Sequence, residues 1–266
     1  MSTIPQRSST RHGAAYAEKG QGEPLLLIHG VGMRLEAWAP QIEALSSSRR
    51  VIAVDMPGHG ESGRLPAGSL LPDFVAWLGR MLDDLSLDSV NIAGHSMGAL
   101  IAGGAAATFG KRVRRVALLN GVYRRDQAAR AAVLARAKAI RSGSIDVEGP
   151  LLRWFGEDGR DTEAYRLTCE WLTGVDPEGY ATAYAAFAEG DGTYADAWPR
   201  VACPALFLTG EDDPNSTPAM AEAMAAAAPL GQARVVVGHR HMVNLTAPEA
   251  VNGMLAEWLA REEVRA

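Results

Sequence analysis

Cysteine is scarce in this chain: Cys169 and Cys203 are the only two among 266 residues. Two thiols cannot supply a disulfide framework or a Cys-rich metal site, and they fit a reducing, cytoplasmic setting. Long apolar runs are lacking too. No stretch approaches the ~18–20 residues that a membrane-spanning helix needs, and Met1–Arg11 carries Ser, Thr and Arg where a secretory signal would be apolar. Basic residues are not in excess. The formal net charge is −5, which argues against nucleic acid or an anionic membrane as the main partner, because either asks for a basic surface. No internal repeat is present. What remains is a chain with 47% hydrophobic and 21% charged residues, an ordinary globular balance. Its length suits one large α/β domain acting on a small molecule. It needs no metal or cofactor for the chemistry argued below, and it is compatible with a monomer or a dimer.

Short β-rich runs at Pro24–Ile28, Val51–Val54, Ser89–Ala93 and Val113–Leu119 alternate with longer helical patterns. This rhythm predicts βαβ units and a mostly parallel sheet. Phe74, Val75, Leu78, Met81, Leu82 and Leu85 have helical spacing, and a second helix should begin at Met97. Its Gly98, Gly103 and Gly104 are poor helix formers, which points to close packing on the sheet. From about Tyr123 to Asp196 the chain turns Ala-rich and helical without a convincing strand, and Asp176–Pro177 reads as a helix start. The alternation resumes with strand Ala205–Thr209, helix Pro218–Ala228 and strand Ala233–Val237. A final helix follows, for which Thr246 and Glu249 predict a capping box. The expected organisation is a core of residues 1–121 and 199–266, interrupted by a helical lid at 122–198.

Gly94-His95-Ser96-Met97-Gly98 fits the pattern G-x-S-x-G, after a strand and at the start of a helix. A sharp strand-to-helix turn holds its central residue in a strained conformation and presents the serine oxygen to a pocket. The helix N-terminus aims amide donors at developing negative charge. With this motif in that setting, the chain resembles the α/β-hydrolase superfamily over nearly its whole length, the lid excepted. The resemblance implies a mostly parallel sheet flanked by helices, with Ser96 as nucleophile. It also implies an oxyanion loop at His29-Gly30-Val31-Gly32, where the backbone amides of Val31 and Met97 receive the oxyanion. The run Asp55-Met56-Pro57-Gly58-His59-Gly60 looks like the family's next loop, and its Asp55 and His59 read as structural.

A serine hydroxyl needs a general base, and the base needs a carboxylate to fix its tautomer. The family's order is Ser, acid, His, and its acid is usually the third residue after the glycine that ends the strand at Ala205–Thr209. This implies Asp213, with Glu211 and Asp212 as local rivals. Of six histidines, His12 lies in the tail, while His29, His59 and His95 belong to the loops already named. His239 and His241 remain. Gly238-His239 resembles the pair that often marks the base, whereas the family's usual interval to the helix-opening Pro248-Glu249 implies His241.

Trp154, Phe155, Tyr165, Trp171, Tyr180, Tyr184 and Phe187 concentrate aromatic residues in the insertion. Two or three of them should face the substrate. Trp38, His29, Trp154 and Tyr184 are the candidate pocket residues. Arg141, Arg153, Arg160 and Arg166 could hold a carboxylate, but a solvated helix surface accounts for them more simply. Within the superfamily the chain looks loosely like bacterial enol-lactonases and esterases, so hydrolysis of a small ester or lactone is the expected activity. Carbon–carbon hydrolases of ring-cleavage products are the alternative. They usually carry an Asn in the oxyanion loop and a Trp after the catalytic histidine, where this chain reads Val31-Gly32-Met33-Arg34 and His241-Met242-Val243-Asn244. Hydroxynitrile lyases and ligand receptors share the scaffold as well.

Overall fold

A computed structural model describes residues 4–261. Among the described residues eight strands form one sheet: β1 (Ser8–Ser9), β2 (Ala15–Lys19), β3 (Pro24–Ile28), β4 (Arg50–Val54), β5 (Val90–His95), β6 (Val113–Leu119), β7 (Ala205–Gly210) and β8 (Gly231–Val236). Their order is β1-β2-β4-β3-β5-β6-β7-β8. The first two pairings, β1 with β2 and β2 with β4, are antiparallel, and all later ones are parallel. The described residues also form α-helices on both sides of the sheet: α1 (Ala39–Leu45), α2 (Leu71–Asp84), α3 (Met97–Phe109), α4 (Gln127–Arg141), α5 (Glu148–Phe155), α6 (Glu163–Thr173), α7 (Pro177–Gly190), α8 (Pro218–Ala227), α9 (Val243–Thr246) and α10 (Pro248–Leu259). The expected α/β-hydrolase architecture is present.

Side chains alternate strictly across the central strands, as a pleated strand requires. Leu26 and Ile28 of β3 join a core cluster with Ile52 and Val54 of β4 and with residues of α2 and α3. Leu25 and Leu27 point the other way, into a second cluster with Val51, Ala53 and the apolar stripe of α10. Helices therefore cover both faces, and strands β3 to β7 are buried from both sides, which explains why they read as continuous apolar runs. Of the glycines in α3, Gly98 packs on the sheet as expected, with a Cβ there 2.2 Å from the Ile28 carbonyl oxygen, whereas Gly104 packs against α2 and the turn after α7: a Cβ on it would stand 2.6 Å from Val75 and 2.7 Å from Tyr194.

Between β6 and β7 the described chain forms α4 to α7 and short 3-10 turns, with no strand. Asp176 caps α7 by accepting from the Gly179 amide at 2.7 Å, as its Asp-Pro start predicts. Among the described residues no helix is long and apolar enough to cross a membrane.

Two local expectations need correction. Strand β8 begins at Gly231, not Ala233, because its backbone pairs with β7 from Ala205↔Gly231 onward and parallel pairing does not depend on those side chains. Thr246 does not cap α10. It closes α9, and its hydroxyl donates to the Met242 carbonyl at 3.1 Å. The N-cap position of α10 is Ala247, without a side-chain cap.

Candidate active site

Strand β5 runs two residues further than the sequence suggests, pairing His95 with Leu119, so Ser96 follows it without a spacer. The chain then reverses into α3 with Ser96 at φ 54°, ψ −114°. A non-glycine residue held there costs about 1–3 kcal/mol, and the surroundings enforce it. The Ser96 amide donates to the Leu119 carbonyl at 2.9 Å. The turn is so tight that a Cβ on Gly94 would lie 2.0 Å from the Gly98 carbonyl oxygen, and one on Gly98 would lie 2.2 Å from that of Ile28. Both glycines of the motif are therefore required by space.

His241 Nε2 lies 3.1 Å from Ser96 Oγ, and His241 Nδ1 lies 2.7 Å from Asp213 Oδ2. All three residues are buried. The hydrogen-bond network assigns the Nδ1–H tautomer, which leaves Nε2 free to accept the serine proton. Asp213 also accepts from Asn120 Nδ2 and from the Asn215 amide, each at 2.8 Å. Burial alone would raise the Asp213 pKa, but His241 and these donors outweigh it and hold the carboxyl below its ordinary value. The rivals lie elsewhere. Glu211 and Asp212 are exposed, and His239 Nδ1 pairs with Thr246 Oγ1 at 2.9 Å.

Two supports of this arrangement were not singled out from the sequence. Asn120, at φ 49° just after β6, adds its amide to Asp213. His95 Nε2 donates to the His241 carbonyl at 2.8 Å and so fixes the backbone that carries the imidazole. Burial, with His241 beside it, pushes His95 down to about 3, which keeps it neutral for that bond.

The Val31 amide and the Met97 amide donate to no protein group among the described residues. Met97 is the first residue of α3, where the helix supplies no partner. Next to Val31, the Gly32 amide donates to His59 Nε2 at 2.9 Å. Asp55 accepts from the Leu35 and Glu61 amides, so both residues brace loops as expected. His29 was a candidate for the pocket wall and is not part of it. Its Nδ1 donates to the Gly30 carbonyl and its Nε2 accepts from the Met56 amide, and these bonds consume both ring nitrogens inside the core.

Burial lowers the pKa of His29, His59 and His95, the last two to about 3. The unfolded chain takes up protons at these positions below about pH 6.5, and the folded chain does not. Their contribution to stability is therefore complete above about 6.5 and lost as the pH falls, by up to about 1.4 kcal/mol per unit for each histidine. Scanning calorimetry should show the Tm falling steadily from about pH 6.5 to about 4, above the range in which the contribution of Asp213 is lost. A constant Tm across that window would contradict the burial argument.

Ser96 and His241 open onto a cavity of about 330 Å³. Val31, Trp154, Tyr180, Tyr184 and Phe187 form much of its wall, so Trp154 and Tyr184 stand where the sequence suggested. Trp154 stacks on the His241 ring, with centroids 5.8 Å apart, and its carbonyl accepts the His241 amide. Trp38 does not line the cavity. The 3-10 turn Leu35–Trp38 carries it to the opposite face of the sheet, where it packs fully buried with Leu25, Leu27 and Trp258. Arg160 and Arg166 pair with glutamates on the surface, and Arg141 is exposed. Arg153 departs from the solvated reading: it lines the cavity together with Arg125 and Arg136.

Comparison with known proteins fits this geometry. The chain is 53% identical over 251 residues to the (E)-2-((N-methylformamido)methylene)succinate hydrolase of Acinetobacter baylyi, covering 94% of this chain and 95% of that protein. Among solved structures it superposes on a thermophilic esterase from Thermogutta terrifontis with a TM-score of 0.86 and 26% identity, covering 96% of this chain and 98% of that one. It superposes on the enol-lactonase of Burkholderia xenovorans with a TM-score of 0.85 and 26% identity, covering 96% and 100%. A family model described as the alpha/beta hydrolase family matches residues 25–254. The chain belongs to the alpha/beta hydrolase family and is a hydrolase.

Proposed function

We propose that the chain hydrolyses a small, acyclic, unsaturated carboxylate, such as the amidomethylene succinate for which its Acinetobacter relative is named, through an acyl intermediate on Ser96. One observation carries the reading: Ser96, His241 and Asp213 stand in line, 3.1 Å and 2.7 Å apart, with Ser96 and His241 at the wall of a mostly apolar cavity. His241 Nε2 takes the proton as Ser96 Oγ attacks the acyl carbon, and Asp213 stabilises the imidazolium. The Val31 and Met97 amides receive the oxyanion. When the tetrahedral species collapses, His241 returns the proton to the leaving atom, and water then releases the acyl group by the same steps in reverse.

Ester or lactone hydrolysis has looser support, from the esterase and the enol-lactonase at 26% identity. The alternative of a ring-cleavage-type substrate fits better, because the molecule in the full-length relative's name contains neither an ester nor a lactone. In that molecule the acyl centre is the formyl carbon, and its bond to the enamine nitrogen breaks. In a ring-cleavage dienoate the same attack falls on a ketone carbon, and a carbon–carbon bond breaks. Steady-state rates on the amidomethylene succinate, an oxo-dienoate, a short-chain ester and a lactone distinguish these chemistries. The amidomethylene succinate is expected to exceed the ester in kcat/KM by about 10² or more, a floor well below the roughly 10⁴–10⁵ by which a site built to hydrogen-bond its substrate rejects an analogue lacking those groups. A preference for the ester or lactone would overturn the reading.

A further inference from the structure

The chemistry above does not use the cationic side of the cavity. Helix α4 presents Ala129, Ala132, Val133 and Arg136 to the cavity, a spacing of three, four and seven that places them on one helical face. From α5, Arg153 faces the same space beside Trp154. Both arginines are half-buried. Among the described residues neither has a carboxylate within ion-pair distance: Arg136 Nη1 donates to Tyr184 Oη at 3.1 Å, and Arg153 Nε is buried without a partner. Burial lowers the Arg153 pKa, and the Arg136 charge lowers it further, while Tyr184 and the exposed Asp146 act in the opposite direction. Arg125 differs. Asp191, shared with Arg130, pairs with it at 3.2 Å, Phe187 lies under its guanidinium at 4.4 Å, and its Nη2 is buried without a partner. Asp126, the acid on the wall, is exposed and spends an oxygen capping the Ala129 amide.

The cavity thus holds two uncompensated positive charges close together at a partly desolvated surface, an arrangement that costs stability unless a ligand offsets it. Guanidinium forks bind carboxylates in a fixed plane. The side chains of Trp154, Tyr180, Tyr184 and Phe187 line the same cavity and offer apolar surface to an unsaturated carbon skeleton. We propose that Arg136 and Arg153, with the spare Nη2 of Arg125, form a two-point clamp for both carboxylates of a planar, unsaturated dicarboxylate whose acyl centre is thereby set against Ser96. This selectivity for dianions deepens the function proposed above and rests on this cavity being the substrate site.

Isothermal calorimetry on the intact protein tests it with methylenesuccinate, which carries both carboxylates and no cleavable bond, and with its monomethyl ester. The dianion should bind at least about tenfold more tightly than the monoester. Arg136→Gln and Arg153→Gln should each weaken the dianion on the order of 10–100-fold, the scale of one charged hydrogen-bonded contact. They should also narrow the preference for the dianion over the monoester, a ratio that partial unfolding does not change. Equal affinity for dianion and monoester, dianion binding unaltered in both variants, or no heat from the dianion at millimolar concentration would each overturn the clamp. Failure of Ser96 to react with a fluorophosphonate is a separate readout, and it would overturn the acyl-enzyme reading instead.

Discussion

Ser96→Ala is expected to lower kcat by at least about 10⁴ while the protein stays folded, the scale on which a nucleophile is lost in this chemistry. Its Oγ is the atom 3.1 Å from the imidazole nitrogen that accepts the proton, so removing it leaves the base with only water to activate. Alanine keeps the Cβ and inherits the same strained backbone, held by Leu119 and by the close approach of Gly98 to Ile28. The stability change should therefore be about one hydrogen bond, roughly 1 kcal/mol. Circular dichroism and Tm check the fold, and stopped or continuous assays on the amidomethylene succinate give the rate. Activity within tenfold of the parent in a folded variant would remove Ser96 from its role.

The second large effect separates two histidines that lie two residues apart. His241→Ala should lose at least about 10³ in kcat, because it deletes the link between Ser96 and Asp213 and strands a buried carboxylate. His239→Ala should lose less than tenfold. Its imidazole faces Thr246 and contacts neither Ser96 nor Asp213. Both variants measured on one substrate decide the matter, and the reverse ranking would transfer the base to His239.

Much of this arrangement was legible in the sequence because its causes are local. Continuous apolar runs reflect strands buried on both faces, and Gly94 is dictated by a contact within the turn that Ser96 occupies, although Gly98 answers to Ile28 of β3. The placement of His241 was read from the interval to Pro248, with Thr246 taken as the start of the last helix. That interval served well, but the cap it invoked does not exist. Thr246 ends α9 and holds His239 in place. Trp38 lies a few residues beyond the oxyanion loop, yet a single 3-10 turn rotates it through the sheet plane to the far core. Sequence proximity says nothing about which face a turn selects.

The arginines were harder to read for another reason. Arg136 and Arg153 sit on Ala-rich or short helices whose polar residues resemble a solvated face. Only the packing of α4, α5 and α7 over the sheet turns that face into a cavity wall. Asn120 belongs to none of the motifs, yet its amide donates to the Asp213 carboxylate from the neighbouring strand. Such roles arise from contacts between elements distant in sequence, and no local pattern encodes them.

The central claim is that Ser96 is the reacting atom's residue. Incubation with a fluorophosphonate, followed by proteolysis and mass spectrometry of the adduct, tests it most directly. The account predicts one equivalent of label on Ser96, none on any other serine, and a labelling rate that collapses in His241→Ala. Label on a different residue, or no label on folded protein, would contradict it.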